Sequence, residues 1–539
     1  ALIVGLEITL VPPAGFCGLL SLRTRSPWAR ANWLCAMCSG CLWPSCWTGS
    51  TPKINSSPAA PFAERRPRGK QKEQVYFLMS AFELNKKFKT IAPVRLFVSS
   101  FLLVIIIGTV LLMLPISARS GQPTSFVDSL FTTVSATCVT GLVAFDTWTH
   151  WNDFGQAVIL LLIQVGGLGI ITLTTGFTLL VRRRLGLRDM QLAMENTSGD
   201  ASQISHLVRI ILTFTLTCEA IGALLLMIRF VPQFGLYGIW ISVFIAVSAF
   251  CNAGFDILGF KWKDGSLIGY VDDPLVSNVV AVLIIIGGLG FIVTADVYRA
   301  KVEPILHRRK PTHLGLHSSI VILMTIFLLV IGTALFLLAE YGNTLKDLNF
   351  FGKLNASFFQ SASARTAGFA SVNIAEEHDI SKLLTVLLMF IGASPASTGG
   401  GIKTTTAVVL ASTVISVIRG HEDTVLFKRR IDKSIVYRAL AIVSVALLVV
   451  LIATAVILTT NEQEISTIDA LFESVSAFAT VGLTAGITQE LNDISKIVLS
   501  ITMFIGRVGP VSLGLAIAGI GRKNRRSGAI LPEGKVIVG

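Results

Sequence analysis

Four short stretches of the chain carry a small-residue pair followed, after four intervening residues, by a glycine and then Leu or Phe. They cover residues 135–142, 248–255, 362–369 and 476–483. A loop of this kind can replace the hydration shell of an ion with backbone carbonyls, provided successive peptide units turn their oxygens to one side. That turn is easiest at a residue tolerant of positive φ, which makes Gly141, Gly254, Gly368 and Gly482 the candidates. The preceding pairs, Val139 and Thr140, Asn252 and Ala253, Thr366 and Ala367, and Thr480 and Val481, differ among the copies, as expected where carbonyls rather than side chains meet the ion. These twelve residues form the candidate ion-binding set. A plainer explanation is that each glycine only lets membrane helices pack closely. One copy would favour that explanation; four at equivalent positions favour the loops.

The elements that hold such loops follow from composition. With 52% hydrophobic residues, 14% charged residues and a mean hydropathy of +0.71, the chain cannot hide its apolar surface in a soluble core. The net charge of +13 would suggest nucleic acid in a soluble protein, but the cations fall in loops and tails, so the expected partner is the lipid bilayer and not nucleic acid. Apolar runs at 94–116, 155–181, 207–231, 275–300, 318–340, 381–418, 434–460 and 495–520 predict eight helical spans, because lipid offers the backbone no hydrogen-bond partner. The run 381–418 is too long for one span and contains Pro395 and Gly399-Gly400-Gly401, which predicts a broken helix.

Lys and Arg cluster after spans two, four, six and eight: Arg182 to Arg184 with Arg188, Arg299 to Lys310, Arg419 to Arg438, and Arg522 to Arg526. The excess of cations places these segments and both termini in the cytoplasm, so the glycine loops enter from outside. Short helices are predicted at about 125–137, 238–250, 350–362 and 467–478, each with its partly negative C-terminal end aimed inward. Residues 126–131 resemble residues 468–473, which supports duplication. The predicted fold is therefore an all-α membrane protein of four tandem repeats, each a span, a re-entrant pore helix, a filter loop and a span, around a central pore. The repeats cover 94–181, 207–300, 318–418 and 434–520, with cytoplasmic segments at 79–93 and 521–539.

The four glycine loops, the two-span repeats and the interrupted sixth span resemble the Trk/Ktr/HKT superfamily of potassium transporters, and most of all its bacterial KtrB-type subunits. The resemblance covers roughly residues 80–539. It implies potassium uptake across a bacterial plasma membrane, with selectivity for potassium over sodium because all four filter positions hold glycine. Potassium is the only ion implied for the site residues, sodium is implied as an activator, and no organic cofactor is expected on this chain. The resemblance also implies a homodimer and a separate KtrA-like ring of nucleotide-binding regulatory subunits. No Rossmann or Walker motif lies in the sequence itself.

The same resemblance reads the segment 392–406 as an intramembrane gating loop, with Gly392, Ala393, Ser394, Ser397, Thr398, Gly399, Gly400, Gly401 and Lys403 as gating residues. The alternative is a cytoplasmic loop between two shorter helices. Arg507 stands in an otherwise apolar span and needs water or a partner. By resemblance it faces the cavity, repelling cations or bonding the loop carbonyls. Lys403 could instead snorkel to the cytoplasm. Arg365 reads as bracing the re-entrant helix from behind, and Glu219 as a helix-packing hydrogen bond rather than an ion site.

Residues 1–78 read as a non-native or disordered extension. Cys35, Cys38 and Cys41 have metal-ligand spacing, but their segment shows no periodicity and runs into a Pro- and Arg-rich stretch. Met79 opens a segment suited to a cytoplasmic start. Two other functional classes compete with this reading. A secondary cation carrier would bind its substrate on broken helices at the midplane, but carriers usually show two-fold repeats. An intramembrane enzyme would need a metal or nucleophile-base pattern within the spans, and none is present in the sequence.

Overall fold

The computed structural model describes residues 93–169, 201–261, 266–308, 310–421, 423–427, 429–510 and 512–514. All belong to the unit Ala81–Gly539, one of two into which the chain divides. The expectations for residues 1–78 with their cysteines, for 79–92, for 170–181, for the basic clusters at 182–188 and 522–526, and for 515–539 lie outside the described residues.

The described fold is helical apart from one hairpin, in which Val425–Leu426 pairs antiparallel with Arg429–Arg430. Its helices come in four consecutive sets of first, short and second helix. The first set is α1 (Pro93–Met113), α2 (Phe126–Cys138) and α3 (Asp153–Leu168). The second is α4 (Ala201–Phe234), α5 (Tyr237–Cys251) and α6 (Pro274–Leu289), followed by α7 (Phe291–Val297). The third is α8 (Leu316–Glu340), α9 (Phe350–Ser363) and α10 (Asp379–Phe390), followed by α11 (Thr404–Ile418). The fourth is α12 (Lys433–Thr460), α13 (Thr467–Ala479) and α14 (Asp493–Val508).

Polar caps set where several helices begin. Ser125, Asn152, Asp273, Asn349, Asp432 and Asn492 each accept a backbone N–H from the first turn that follows. Each first helix packs on the short helix of its own set. Each second helix packs on the short helix of the next set, and α14 packs on α2, which closes a ring.

The sequence predicts continuous helices over 275–300, 155–181 and 495–520, and the structure breaks this pattern. At Gly290, with φ of 91°, the chain bends by 95° between α6 and the helical segment after it. The helices α3 and α14 likewise stop at Gly169 and Gly509, both at positive φ. Sixteen residues rise about 24 Å, short of a hydrocarbon core of about 30 Å. Among the described residues, three helices are long and apolar enough to cross a bilayer, or four if the bent pair counts as one span. The broken helix expected within 381–418 is present, as α10 and α11 separated by a non-helical segment.

Two ion pairs, the first half-buried and the second buried, tie neighbouring sets together. Lys382 of α10 reaches Asp469 of α13 at 2.8 Å, and Lys496 of α14 reaches Asp128 of α2 at 2.7 Å. Both lysines end the same tetrapeptide, Asp-Ile-Ser-Lys, and both aspartates stand in the first turn of a short helix. The joint between the first two sets is neutral: Gln156 Oε1 accepts from Tyr237 and from Trp240 Nε1. Breaking one side of a buried pair costs about 3–5 kcal/mol, because the remaining charge is stranded. Lys496→Met should therefore lower the unfolding midpoint in detergent by an amount on that scale, and Lys496→Met with Asp128→Leu should recover much of it. An unchanged midpoint in the single variant would mean that the pair does not hold the ring closed.

Candidate ion-binding loops

Each short helix leads into one glycine loop, and the four loops meet. A Cβ placed on Gly141 would lie 2.5 Å from the carbonyl oxygen of Ala253, and one on Gly254 would lie 2.7 Å from that of Ala367. A Cβ on Gly368 would collide with the carbonyl of Val481, and one on Gly482 with the carbonyl of Thr140. The order of neighbours is thus first, second, third, fourth and back to first. Backbone lies against backbone at every step, with no room for a side chain.

The local conformation repeats as well. Val139, Asn252, Thr366 and Thr480 have φ of 59°, 60°, 72° and 51°, and the glycines two residues later have φ of 100°, 71°, 80° and 91°. The residue between them is not at positive φ, so handedness alternates along each loop. Three of the four left-handed residues ahead of the glycines are β-branched, a conformation that costs on the order of 1–3 kcal/mol each. Hydrogen bonds hold it. The N–H groups of Thr140, Ala253 and Val481 donate back to Ser135, Ser248 and Ser476 carbonyls at 2.7–2.9 Å. The N–H groups of Gly141 and Gly482 donate to the hydroxyls of Ser135 and Ser476, each at 3.0 Å. With these donors turned back toward the short helices, carbonyls are what the loops offer one another.

On one side the ring opens into a cavity of about 360 Å³ lined by all four glycines and by Asp146, Asp256 and Glu490. Burial pushes the Asp256 carboxyl up to about 6, and Asp146 adds to the rise against the N–H of Leu258. The sequence reading missed these acids, because they stand on the connections between short and second helices, with no periodicity to mark them.

On the other side lies the segment between α10 and α11, clasped by a parallel bridge between Ile391 and Ile402. Gly392 packs on the Gly400 carbonyl. Ala393 O accepts from Thr404 N at 3.3 Å. Ser394 N donates to Gly288 O at 3.2 Å, and Ser397 Oγ donates to Ser394 O at 2.6 Å. Thr398 donates to Gly287 O and to Phe250 O, both at 3.4 Å. Gly399 lies against Thr366 Oγ1, Gly400 N donates to Thr480 Oγ1 at 2.9 Å, and Gly401 packs on Ala479. Lys403 Nζ donates to Gly399 O at 2.7 Å. Arg507 donates to Thr398 O and to Gly166 O, joining the segment to α3.

Two further buried polar groups sit behind the loops rather than in the ring. Arg365 Nη2 donates to Thr325 Oγ1 of α8 at 3.3 Å. Glu219 of α4 accepts from Gln164 Nε2 of α3 at 3.1 Å, with the Cys251 sulfur 3.8 Å away. That is a helix-packing contact, and it anchors the last residue of α5.

The fold is that of a helical membrane transporter. Its backbone aligns with the crystal structure of the potassium transporter TrkH from Vibrio parahaemolyticus, with a TM-score of 0.60 at 18% identity, over 78% of this chain and 84% of that one. The TrkH family profile, described as cation transport protein, matches residues 74–521, and the chain belongs to that family. The Ktr system potassium uptake protein B of Bacillus subtilis (strain 168) is 40% identical over 457 residues, which cover 84% of this chain and 98% of that protein. Its namesake in Vibrio alginolyticus is 41% identical, over 79% and 91%. The potassium/sodium uptake protein NtpJ of Enterococcus hirae is 39% identical, over 78% and 92%.

The raised Asp256 carboxyl gives a pH dependence. The group is mostly charged at pH 7 and mostly neutral at pH 5. The apparent affinity of this cavity for monovalent cations should therefore weaken as the pH falls from 7 to 5, and Asp256→Asn should flatten the profile. A profile that keeps its shape in the Asn variant would assign the titration to another group.

Proposed function

We propose that the chain takes up potassium across a bacterial plasma membrane through a channel-like pore. The observation that carries this reading is the closed ring of four glycine loops, each with its carbonyls against the next. In this reading α2, α5, α9 and α13 are re-entrant pore helices within four repeats of a chain with eight transmembrane segments. The carbonyls of residues 139–141, 252–254, 366–368 and 480–482 take the place of an ion's water shell. The acids of the mouth concentrate cations before entry. The names of the relatives as potassium uptake proteins support this choice of ion, and none is named as an enzyme.

Residues 392–403 and Arg507 form the gate. The segment sits directly against the ring, and Arg507 with Lys403 fixes its carbonyls there. Non-helical backbone at membrane depth is tolerated where protein or water satisfies it, and here protein does. Sodium enters as an activator in this reading. The chain works as a homodimer with a nucleotide-binding regulatory ring on the cytoplasmic side, reached through basic loops such as the hairpin carrying Arg429 and Arg430. Both termini lie on that side.

The test is growth of cells lacking their own potassium uptake systems at low potassium, with rubidium and sodium as competitors. The full chain should restore growth, with rubidium but not sodium competing. Gly482→Ser should reduce potassium-over-sodium discrimination by tenfold or more, since its Cβ would meet the Thr140 carbonyl. Deleting residues 399–401 should raise flux without the regulatory subunit. Unchanged ion preference in Gly482→Ser would remove the ring from the function, and flux that still requires the regulator after the deletion would remove the gate.

A further inference from the structure

The residues two positions before the ring glycines differ in a way that carbonyl coordination leaves unexplained. Asn252, Thr366 and Thr480 are polar, whereas Val139 is not. All four are fully buried and left-handed. The side chains of the polar three meet one another or the segment 399–401. Asn252 Nδ2 and Thr366 Oγ1 are 3.2 Å apart, Gly399 packs on that same Thr366 hydroxyl, and Thr480 Oγ1 accepts the N–H of Gly400 at 2.9 Å.

We propose that Thr480 is a latch that couples the ion-selecting ring to the gate, an inference that rests on the pore reading above. Its backbone continues into the fourth loop, where Val481 N and Gly482 N are bonded back to Ser476. Its side chain holds the gate by its backbone. One residue therefore belongs to both structures, and no intervening element transmits between them. Withdrawal of the segment 399–401 strips Thr480 of its donor and frees a β-branched residue from one contact that supports its left-handed conformation. It also uncovers the Thr366 hydroxyl shared with Asn252. The geometry of the ring then depends on whether the gate is seated, so Thr480 sets selectivity as well as flux.

The latch is also sterically closed. A Cβ on Gly400 would run into the Thr480 hydroxyl, which is why this position admits only glycine while the gate is seated. Gly400 donates its N–H there, and its carbonyl lies 3.4 Å from Lys403 Nζ. Removing the acceptor leaves a buried N–H unsatisfied and favours withdrawal. A hydrogen bond of ordinary strength corresponds to a roughly 2- to 12-fold change in the seated population.

The experiment measures rubidium flux and rubidium-over-sodium preference in membranes without the regulatory subunit, for the full chain and for the chain lacking 399–401. Thr480→Val should raise regulator-free flux roughly 2- to 12-fold in the full chain. In the deleted background, where no latch remains, it should raise flux no further. Gly400→Ala approaches the contact from the other side and should also raise flux. Combined with Thr480→Ala, which makes room for the new methyl, it should give less than the product of the single effects. A Thr480→Val effect of equal size in both backgrounds, or strictly multiplicative Thr480→Ala and Gly400→Ala effects, would overturn the latch. If deletion of 399–401 itself leaves flux unchanged, the gate reading fails, and the latch falls with it.

Discussion

The structure depends on four close approaches of backbone to backbone. Each ring glycine sits where any Cβ would overlap the carbonyl of the next loop, and the fourth loop returns to the first. A contact of that kind excludes side chains and leaves peptide groups as the only available chemistry. Carbonyl oxygens in such an arrangement suit a cation rather than an anion. The strained left-handed residues ahead of the glycines persist because serine hydroxyls and carbonyls of the short helices hold the adjoining N–H groups.

The remaining architecture supplies rigidity for that ring. Short helices end at the ring, each packed between the first helix of its own set and the second helix of the preceding one. Charge pairs lock the joints at Asp128 and Asp469, and neutral polar groups lock the joint at Gln156. Behind the ring, Glu219 and Arg365 bind side chains of neighbouring helices instead of facing the axis. Arg507 completes the arrangement on the other side of the ring, where its guanidinium fans between the segment 392–403 and Gly166. A guanidinium suits this task, since its planar donors satisfy two carbonyls at once without losing charge.

Much of this was legible in the sequence. The glycine loops stood out because a local pattern recurred four times between apolar runs, and the short helices lie within one or two residues of their expected positions. The break in the sixth run was marked by Pro395 and three glycines. The bend at Gly290 was not marked, because the sequence stays apolar through Phe291, Ile292 and Val293, and glycines such as Gly287, Gly288 and Gly290 are also what closely packed membrane helices carry. The ion pairs were hidden by distance: 368 residues separate Asp128 from Lys496. The shared Asp-Ile-Ser-Lys tetrapeptide was the one signal that could have exposed them. Lys403 was ambiguous for a different reason, since its destination depends on whether carbonyls or water lie within reach of a flexible side chain.

The central claim is that an ion sits on the axis between the four loops. Anomalous diffraction from crystals of the full chain grown in rubidium or thallium salts tests it most directly. The expected result is an anomalous peak on the axis, ringed by the carbonyls of Thr140, Ala253, Ala367 and Val481 and absent when sodium replaces the heavy cation. An empty axis, with the cation instead bound off-axis near Glu219, would contradict the account and favour a carrier with a side-chain site.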